Sequence, residues 1–414
     1  MCHVPSLPHG LTALRERNYA LYAVGQFISQ LGNWMEQTAV AWILYEMTNS
    51  PLLLGLSGLF RAVPMIALAL FGGAIADRVP RRVLLLLTES SMLIASLTVG
   101  LFALTGQLQF WHLYVLSFVS GTLSAFSIPA RHALFAGLVP RSAMQSAVTL
   151  NAVAVRSGAL VGPSIGGLAL AYGGYALPFF VNAAGFIGML LALASMRLPS
   201  RRAETISSAT SLWHGMTSGL DFVRRNPLLK VALGLEIVSG LFGHNVTLVT
   251  IIARDAIGTG PEGLGLLLSA LGAGGLLGMA FMVAFEIKRH VHLILTVGAL
   301  YAVLLAAFAL SPWLALSMML LFALGTADGI WAVTRNTLAQ LLVPDALRGR
   351  VMSVVVMATR GSAPLGRVQA GFLAGLVGGP FAALVGAAVI GAAVFRSWRM
   401  HLPRAIGAGD SDSR

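Results

Sequence analysis

The sequence predicts an all-α membrane protein: twelve transmembrane helices in two six-helix bundles related by a parallel repeat, with both termini cytoplasmic. Three observations carry this. The chain of 414 residues is 57% hydrophobic and only 10% charged, whereas soluble domains run at roughly 45–50% apolar and about 25% charged. Its apolar residues gather into runs of about the 20 residues that a spanning helix needs. Its basic residues fall on alternate connections between those runs, as they do when one side of the membrane collects Lys and Arg.

In chain order, residues 1–18 carry Pro5 and Pro8 and no apolar run before Tyr19. They read as a cytoplasmic segment without a cleavable signal peptide, which leaves the first run as the insertion signal. The first bundle covers 19–196, with runs at 19–45, 52–76, 83–105, 111–134, 146–172 and 175–196. Residues 197–227 form the longest connection, a cytoplasmic linker. It opens polar and then places Leu212, Trp213, Met216, Leu220 and Val223 at helical spacing, the pattern of an interfacial amphipathic helix. The second bundle covers 228–397, with runs at 228–253, 263–285, 291–310, 313–337, 350–376 and 380–397, and 398–414 is a cytoplasmic tail. The loops after even-numbered runs, taken with Arg131, Lys230 and Arg350 at the run ends beside them, carry fifteen Lys and Arg; those after odd-numbered runs carry one, Arg254. The positive-inside rule then puts both termini in the cytoplasm, and the net charge of +12 reflects this topology rather than a nucleic-acid surface.

The two bundles repeat one another. Shifting residues 121–167 onto the second half without a gap aligns Gly121 with Gly325, Arg131 with Arg335, Leu138-Val139-Pro140 with Leu342-Val343-Pro344, Arg156 with Arg360, Gly162 with Gly366 and Gly167 with Gly371. Arg17-Asn18 recur as Arg225-Asn226, and Pro51 with Leu54-Gly55-Leu56 as Pro261 with Leu264-Gly265-Leu266. Both halves start on the same side, so the repeat is parallel. Such repeats are related by an axis along the membrane normal, with a substrate site near the midplane.

Charges are concentrated in one short turn. Gly73, at the end of the second run, and Asp77, Arg78, Arg81 and Arg82, between the second and third runs, make up this turn. An acid at a helix end can approach the positive N-terminus of another helix, and the arginines can pair with carboxylates. The spacing Gly-x-x-x-Asp-Arg-x-x-Arg-Arg resembles the signature loop of the major facilitator superfamily, with Pro80 where that pattern has Gly. The resemblance implies a cytoplasmic latch facing the eleventh run. The equivalent second-half loop, Glu286-x-Lys288-Arg289, is degenerate. In the fifth run Gly158, Gly162, Pro163, Gly166 and Gly167 spell GxxxGPxxGG. Small residues let helices approach closely, and Pro163 removes a backbone donor. This pattern is similar to the antiporter motif of the same superfamily, which implies proton-driven export and close packing against the eighth run, where Gly265, Ser269, Gly272, Gly274 and Gly278 offer a small-residue face. Residues 31–56, Arg61-x-x-Pro64 and 128–140 resemble the enterobactin-exporter-like branch, the transmembrane secretion effectors. The chain departs from many relatives at Asn33 and Glu36.

Ionisable groups inside spans cost several kcal/mol and are functional candidates. The acids are Glu36, Glu89, Glu236 and Asp328, and the arginines Arg61, Arg156, Arg360 and Arg367. Glu36, about 25 Å beyond Tyr19 at helical rise, is the leading candidate to carry a coupling proton, followed by Glu236, Asp328 and Glu89. Arg61, Arg156 and Arg360 read as pairing or gating charges. Histidines 112, 244, 290 and 292 are scattered, and His290-x-His292 reads as interfacial. A single cysteine, Cys2, excludes an intrachain disulfide. No metal spacing, no phosphate-binding loop and no nucleophile–base pair stands out. The expectation is a non-enzymatic, cofactor-free monomer in the inner (plasma) membrane that exports a small amphipathic molecule, such as a drug-like compound, siderophore or metabolite, in exchange for protons. A facilitator or importer of the same fold, or a membrane ligand sensor that transports nothing, is the alternative.

Overall fold

The structure, a computed structural model, describes residues 9–135, 137–196, 220–285 and 290–400. All regular structure among them is helical. A 3-10 turn, His9–Arg15, leads into α1 (Arg17–Thr48). Then follow α2 (Pro51–Ala67), α3 (Ala69–Arg78), α4 (Arg81–Leu104), α5 (Phe110–Phe135), α6 (Met144–Gly173) and α7 (Leu177–Ser195). The second half holds α8 (Pro227–Phe242), α9 (Val246–Ile251) with a π-helical extension Ile252–Ala256, α10 (Pro261–Ala284), α11 (His290–Ala309), α12 (Leu314–Leu342), α13 (Asp345–Val377) and α14 (Gly379–Arg399). Local chemistry marks several starts. Asn226 accepts from the amides of Leu228 and Leu229, with Pro227 at the first helical position, an N-cap followed by the residue whose missing amide costs nothing there.

Nine helices among the described residues are long and apolar enough to cross a membrane. Three of the twelve apolar runs fall outside that set, for different reasons. The run at 52–76 is divided at Leu68 into α2 and α3, below Pro64. The runs at 19–45 and 350–376 do form long helices, of 32 and 33 residues. Gln26, Asn33 and Glu36 make α1 more polar, and Arg360 and Arg367 do the same for α13. The run at 228–253 is one span by composition but breaks at Gly243–Asn245. Of the proposed amphipathic segment, 197–219 lies outside the described residues; 220–225 is helical, with Arg225 paired to Asp221 at 2.9 Å. The degenerate loop at 286–289 and the 1–8 and 401–414 ends also lie outside.

The chain divides into two compact units. The first comprises Met1–Thr48, Leu59–Ile206 and Leu264–Ser269. In it α1 packs on α6 and α7, and α4 on α5 and α7. Tyr19, Leu84, Leu85, Leu134, Met189 and Leu193 form its core. The second comprises Asn49–Gly58, Ser207–Gly263 and Ala270–Arg414. There α8 packs on α13 and α14, and α11 on α12 and α14, the same pairs shifted by one half. Relative to halves drawn at 19–196 and 228–397, two short segments change places. Gly55 packs in the second unit against Gly371, and Gly265 in the first against Gly167. Those are again repeat-related contacts.

Candidate functional site

In the first unit the two buried carboxylates, Glu36 and Glu89, each anchor a polar cluster. Glu36, 6% exposed, lies between α1, α4 and α7. Its Oε2 accepts from Ser96 Oγ at 3.0 Å and from Asn182 Nδ2 at 2.6 Å. Arg61 on α2 is its electrostatic neighbour and donates to Asn33 Oδ1 at 3.4 Å. The second cluster joins α1, α4 and α5. Arg131 forms an ion pair with Glu89 and donates to Gln26 Oε1 at 2.6 Å. Glu89 is fully buried, and its Oε2 has no hydrogen-bond partner among the described residues. An ion pair with one oxygen unsatisfied is costly to break, because removing either partner strands a charge.

The second unit has one larger cluster on α8, α11 and α12. Arg335 pairs with Glu236, and Trp331 Nε1 donates to the other Glu236 oxygen at 3.1 Å. Tyr301 packs beside Trp331 with ring centroids 6.4 Å apart. The Tyr301 hydroxyl accepts the backbone amide of His244 at 3.0 Å and lies 2.6 Å from its Nδ1. Asp328 lies within electrostatic reach of both Tyr301 and His244. His244 occupies the break between α8 and α9. Gly243 ends the first segment, its amide donating to Ser239 O at 2.7 Å. Asn245 caps the second, accepting from Leu248 N at 2.9 Å. A Cβ on Gly243 would come within 2.5 Å of the Tyr301 hydroxyl, so only glycine admits this approach. Sequence reasoning placed His244 among scattered histidines and passed over Tyr301 and Trp331. The available signal was the Gly-His-Asn triplet inside an apolar run, since Asn there is an N-cap for a new helix.

Other sequence candidates lie apart from these clusters. Arg156 and Arg360, repeat-related, are both exposed. Arg367 lies along Gly58. In the turn between α3 and α4, the arginines hold helix ends rather than carboxylates: Arg81 donates to Ala133 O at 2.8 Å and Arg82 to Ala194 O at 2.7 Å. Both carbonyls belong to the last turns of α5 and α7, where orphan acceptors and the helix dipole favour a cation. The Asp77 side chain lies outside the described residues. A Cβ on Gly73 would meet nothing within 4 Å, whereas one on the adjacent Gly72 would run into the carbonyl of Ala125. The close approach of α3 to α5 therefore rests on Gly72.

The small-residue motif of α6 serves two neighbours. Gly158, Gly162 and Gly166 face α1, where a Cβ on Gly162 would come within 2.6 Å of Trp34 Cβ. The contact with α10 is made by Pro163, Ser164 and Gly167, around Gly265. There Ser164 Oγ lies 2.6 Å from Ser269 Oγ. The expected face toward the eighth run thus lies one residue further round the helix than Gly162. Gly274 and Gly278 of α10 pack instead on α12.

Comparison with known proteins places these features in context. A family model described as transmembrane secretion effector matches residues 9–414. The MFS-type transporter YfiS of Bacillus subtilis is 30% identical over 375 residues, covering 87% of each chain. The multidrug efflux pump Tap of Mycolicibacterium fortuitum is 28% identical, over 84% of this chain and 87% of its own. The enterobactin exporter EntS of Escherichia coli is 26% identical, over 79% and 78%. Among solved structures, a bacterial homologue of the human lysosomal transporter Spinster superposes with a TM-score of 0.71 at 14% identity, over 95% of this chain and 99% of its own. A D-xylose–proton symporter gives 0.71 at 14%, over 92% and 97%. At such identities the structural likeness is one of fold.

Proposed function

The chain belongs to the transmembrane secretion effector family of major facilitator transporters, and from that premise we propose that it exports a small amphipathic molecule across the plasma membrane in exchange for protons. The observation that carries the reading is the set of carboxylates Glu36, Glu89, Glu236 and Asp328 inside apolar helical units, in a chain whose relatives include a multidrug efflux pump and a siderophore exporter. Carboxylates are kept there at a cost of several kcal/mol and can exchange a proton with water when the path opens. Twelve spans, in six-helix halves at 19–196 and 228–397 with both termini in the cytoplasm, are the topology this reading takes. The halves rock about a substrate site near the midplane.

Glu36, Glu236, Asp328 and Glu89 are the candidate carriers. Their surroundings give them different tasks. Glu89 and Glu236 each neutralise an arginine, which suits a fixed charge. Glu36 is held by two neutral donors, so it can lose or gain a proton without breaking an ion pair. The loop Gly73, Asp77, Arg78, Arg81, Arg82 acts as the cytoplasmic gate, and the Gly158–Gly167 face lets α6 move against its neighbours. Arg61 balances Glu36, while Arg156 and Arg360 act at the gates.

Purified protein in proteoliposomes, with an imposed pH gradient and a panel of lipophilic cations and catecholates, tests this. Accumulation of at least one compound against its gradient, abolished by a proton uncoupler, is the expected result. Glu36→Gln should keep downhill exchange and lose uphill movement, and Asp77→Asn should lower transport severalfold without loss of membrane insertion. Movement that ignores both the pH gradient and the uncoupler makes the protein a facilitator. Binding without any movement makes it a sensor.

A further inference from the structure

The second unit contains a titratable group that no carboxylate scheme uses. His244 sits where the seventh apolar run breaks, between α8 and α9. Broken spanning helices are where transporters place ion sites, because the freed backbone groups need partners and can find them in a ligand or a side chain. Here the partner is Tyr301. Its hydroxyl accepts the His244 amide at 3.0 Å, meets Nδ1 at 2.6 Å, and interacts with the Ser239 side chain of α8. Asn245 ties the break to α13, its Nδ2 donating to Gly366 O at 3.5 Å. One imidazole thus stands at the junction of α8, α9, α11 and α13, and Asp328 of α12 is within electrostatic reach.

Resting on the antiport reading, we propose that His244 is the proton-binding group of the second unit, with Asp328 as its counter-charge and Tyr301 as the hydrogen-bond partner that reverses direction when the proton binds. In the neutral state Nδ1 is unprotonated and takes the Tyr301 O–H. The proton that enters from water binds Nδ1. The Nδ1–H then donates to the Tyr301 oxygen, and Tyr301 keeps its own proton and turns it to Ser239 Oγ. No covalent bond other than N–H forms, and on release to water the sequence reverses. The hydrogen bond across the break has reversed direction, and a positive charge has appeared opposite Asp328. A charge in an apolar interior needs a partner, so protonation draws α12 and the α8–α9 junction together and deprotonation frees them.

The surrounding groups leave this role to His244. On its own segment Glu236 has both oxygens engaged, by Arg335 and Trp331. From α11 Tyr301 is the titratable group in contact with His244, while His292, in the first turn of that helix, is exposed. From α12 they are Asp328, which forms no ion pair among the described residues, and Arg335, already committed to Glu236. On α13 Arg360 is exposed and Arg367 lies along Gly58. Between Gly379 and Phe395 α14 carries none, and beyond α9 Arg254 donates to Asn49 at 2.6 Å.

The test uses full-length protein labelled with [15N]histidine in lipid nanodiscs, titrated by NMR, with His244→Gln identifying the His244 signal. Conversion of that signal from neutral imidazole to imidazolium between about pH 8 and 5 is expected, together with loss of the imidazolium form over this range in Asp328→Asn. A signal that stays neutral to pH 5, or that titrates unchanged in Asp328→Asn, overturns the proposal. In proteoliposomes with ethidium as the probe, His244→Gln should abolish uphill movement driven by the pH gradient. Continued uphill movement in His244→Gln overturns the coupling role. If the unmodified protein itself moves no ethidium under a pH gradient, the antiport reading fails for this class of cation, and the titration alone decides whether His244 binds the proton.

Discussion

In the first unit Gly121 of α5 lies against the carbonyl of Arg61, and in the second Gly325 of α12 lies against the carbonyl of Leu271. Further along the same two helices stand Arg131 and Arg335, which find their acids in different places. Arg131 takes Glu89 from α4 and a neutral amide, Gln26, from α1. Arg335 takes Glu236 from α8, the counterpart of α1, and Trp331 completes that carboxylate. Backbone contacts repeat between the units because a helix can approach another closely only where a Cβ is missing. The ion pairs have no such constraint. A buried guanidinium needs a carboxylate within reach, and any neighbouring helix can supply it. The repeat therefore fixes the scaffold and leaves the chemistry free to differ, and it is in the second unit that acid, histidine and tyrosine share one cluster.

The largest effect should come from breaking the shared part. Gly121→Leu and Gly325→Leu each put a Cβ at 2.0 and 2.1 Å from a backbone carbonyl oxygen, a clash that only separation of the two helices can relieve, so the cost exceeds that of ordinary overpacking. Both should lower the yield of monodisperse protein after detergent extraction severalfold, and by similar factors. Gly162→Leu, with Trp34 Cβ at 2.6 Å, should follow them, and Gly188→Leu, whose nearest neighbour is Ile28 at 3.7 Å, should be mild. A large difference between Gly121→Leu and Gly325→Leu would show that the two scaffolds are not equivalent.

Next come the ion pairs. Removing one member of a buried pair costs about 3–5 kcal/mol. Arg131→Ala should destabilise more than Arg335→Ala, because Glu89 is fully buried while the Glu236 side chain is 13% exposed. Thermal unfolding of the two variants in the same detergent measures this. The comparison sharpens with the double variant Gln26→Glu, Glu89→Gln, which moves the acid of the first unit onto α1, as in the second. It should recover most of the stability lost in Glu89→Gln alone. No recovery would mean that the position of the acid, and not merely its presence, is fixed.

The smallest effects belong to the turn between α3 and α4. Arg82→Ala removes a cation from the end of α7, a loss of about 0.3–1 kcal/mol for a surface site. Gly73→Ala meets no obstacle and should leave the melting temperature unchanged. If Gly73→Ala nevertheless abolishes transport, the glycine is needed in a conformation other than this one.

The helices themselves were legible in the sequence, because apolar runs of this length have few other solutions in a membrane, and so was the repeat, because aligned glycines and arginines survive as letters. The break at Gly243–Asn245 was hidden by the hydropathy on either side of it. The partners were not legible either. Nothing in the order of residues joins Glu36 to Asn182, or Arg81 to the carbonyl of Ala133, since those contacts exist only after helices distant in the chain have packed. Gly73 and Gly162 stand out by their place in a pattern, yet the tight contact with α5 falls on Gly72, and within the α6 motif it is Pro163 and Gly167, not Gly162, that meet α10.

The polarity of α1 also bears on how the chain is made. This helix leaves the ribosome before α2 to α14, yet the donors that satisfy Glu36 come from α4 and α7, and the guanidinium that meets Gln26 comes from α5. Until those segments are synthesised, Glu36 lacks both of its hydrogen-bond donors and Gln26 lacks its guanidinium, and only Arg61 of α2 stands near the carboxylate. Insertion of the first helix is therefore unfinished while later helices are still being translated, and the translocation channel has to shelter it in the meantime. In nascent chains truncated after α3 we expect Glu36→Leu to raise membrane integration of α1, as read by glycosylation mapping, and in the full-length chain to make no difference to it.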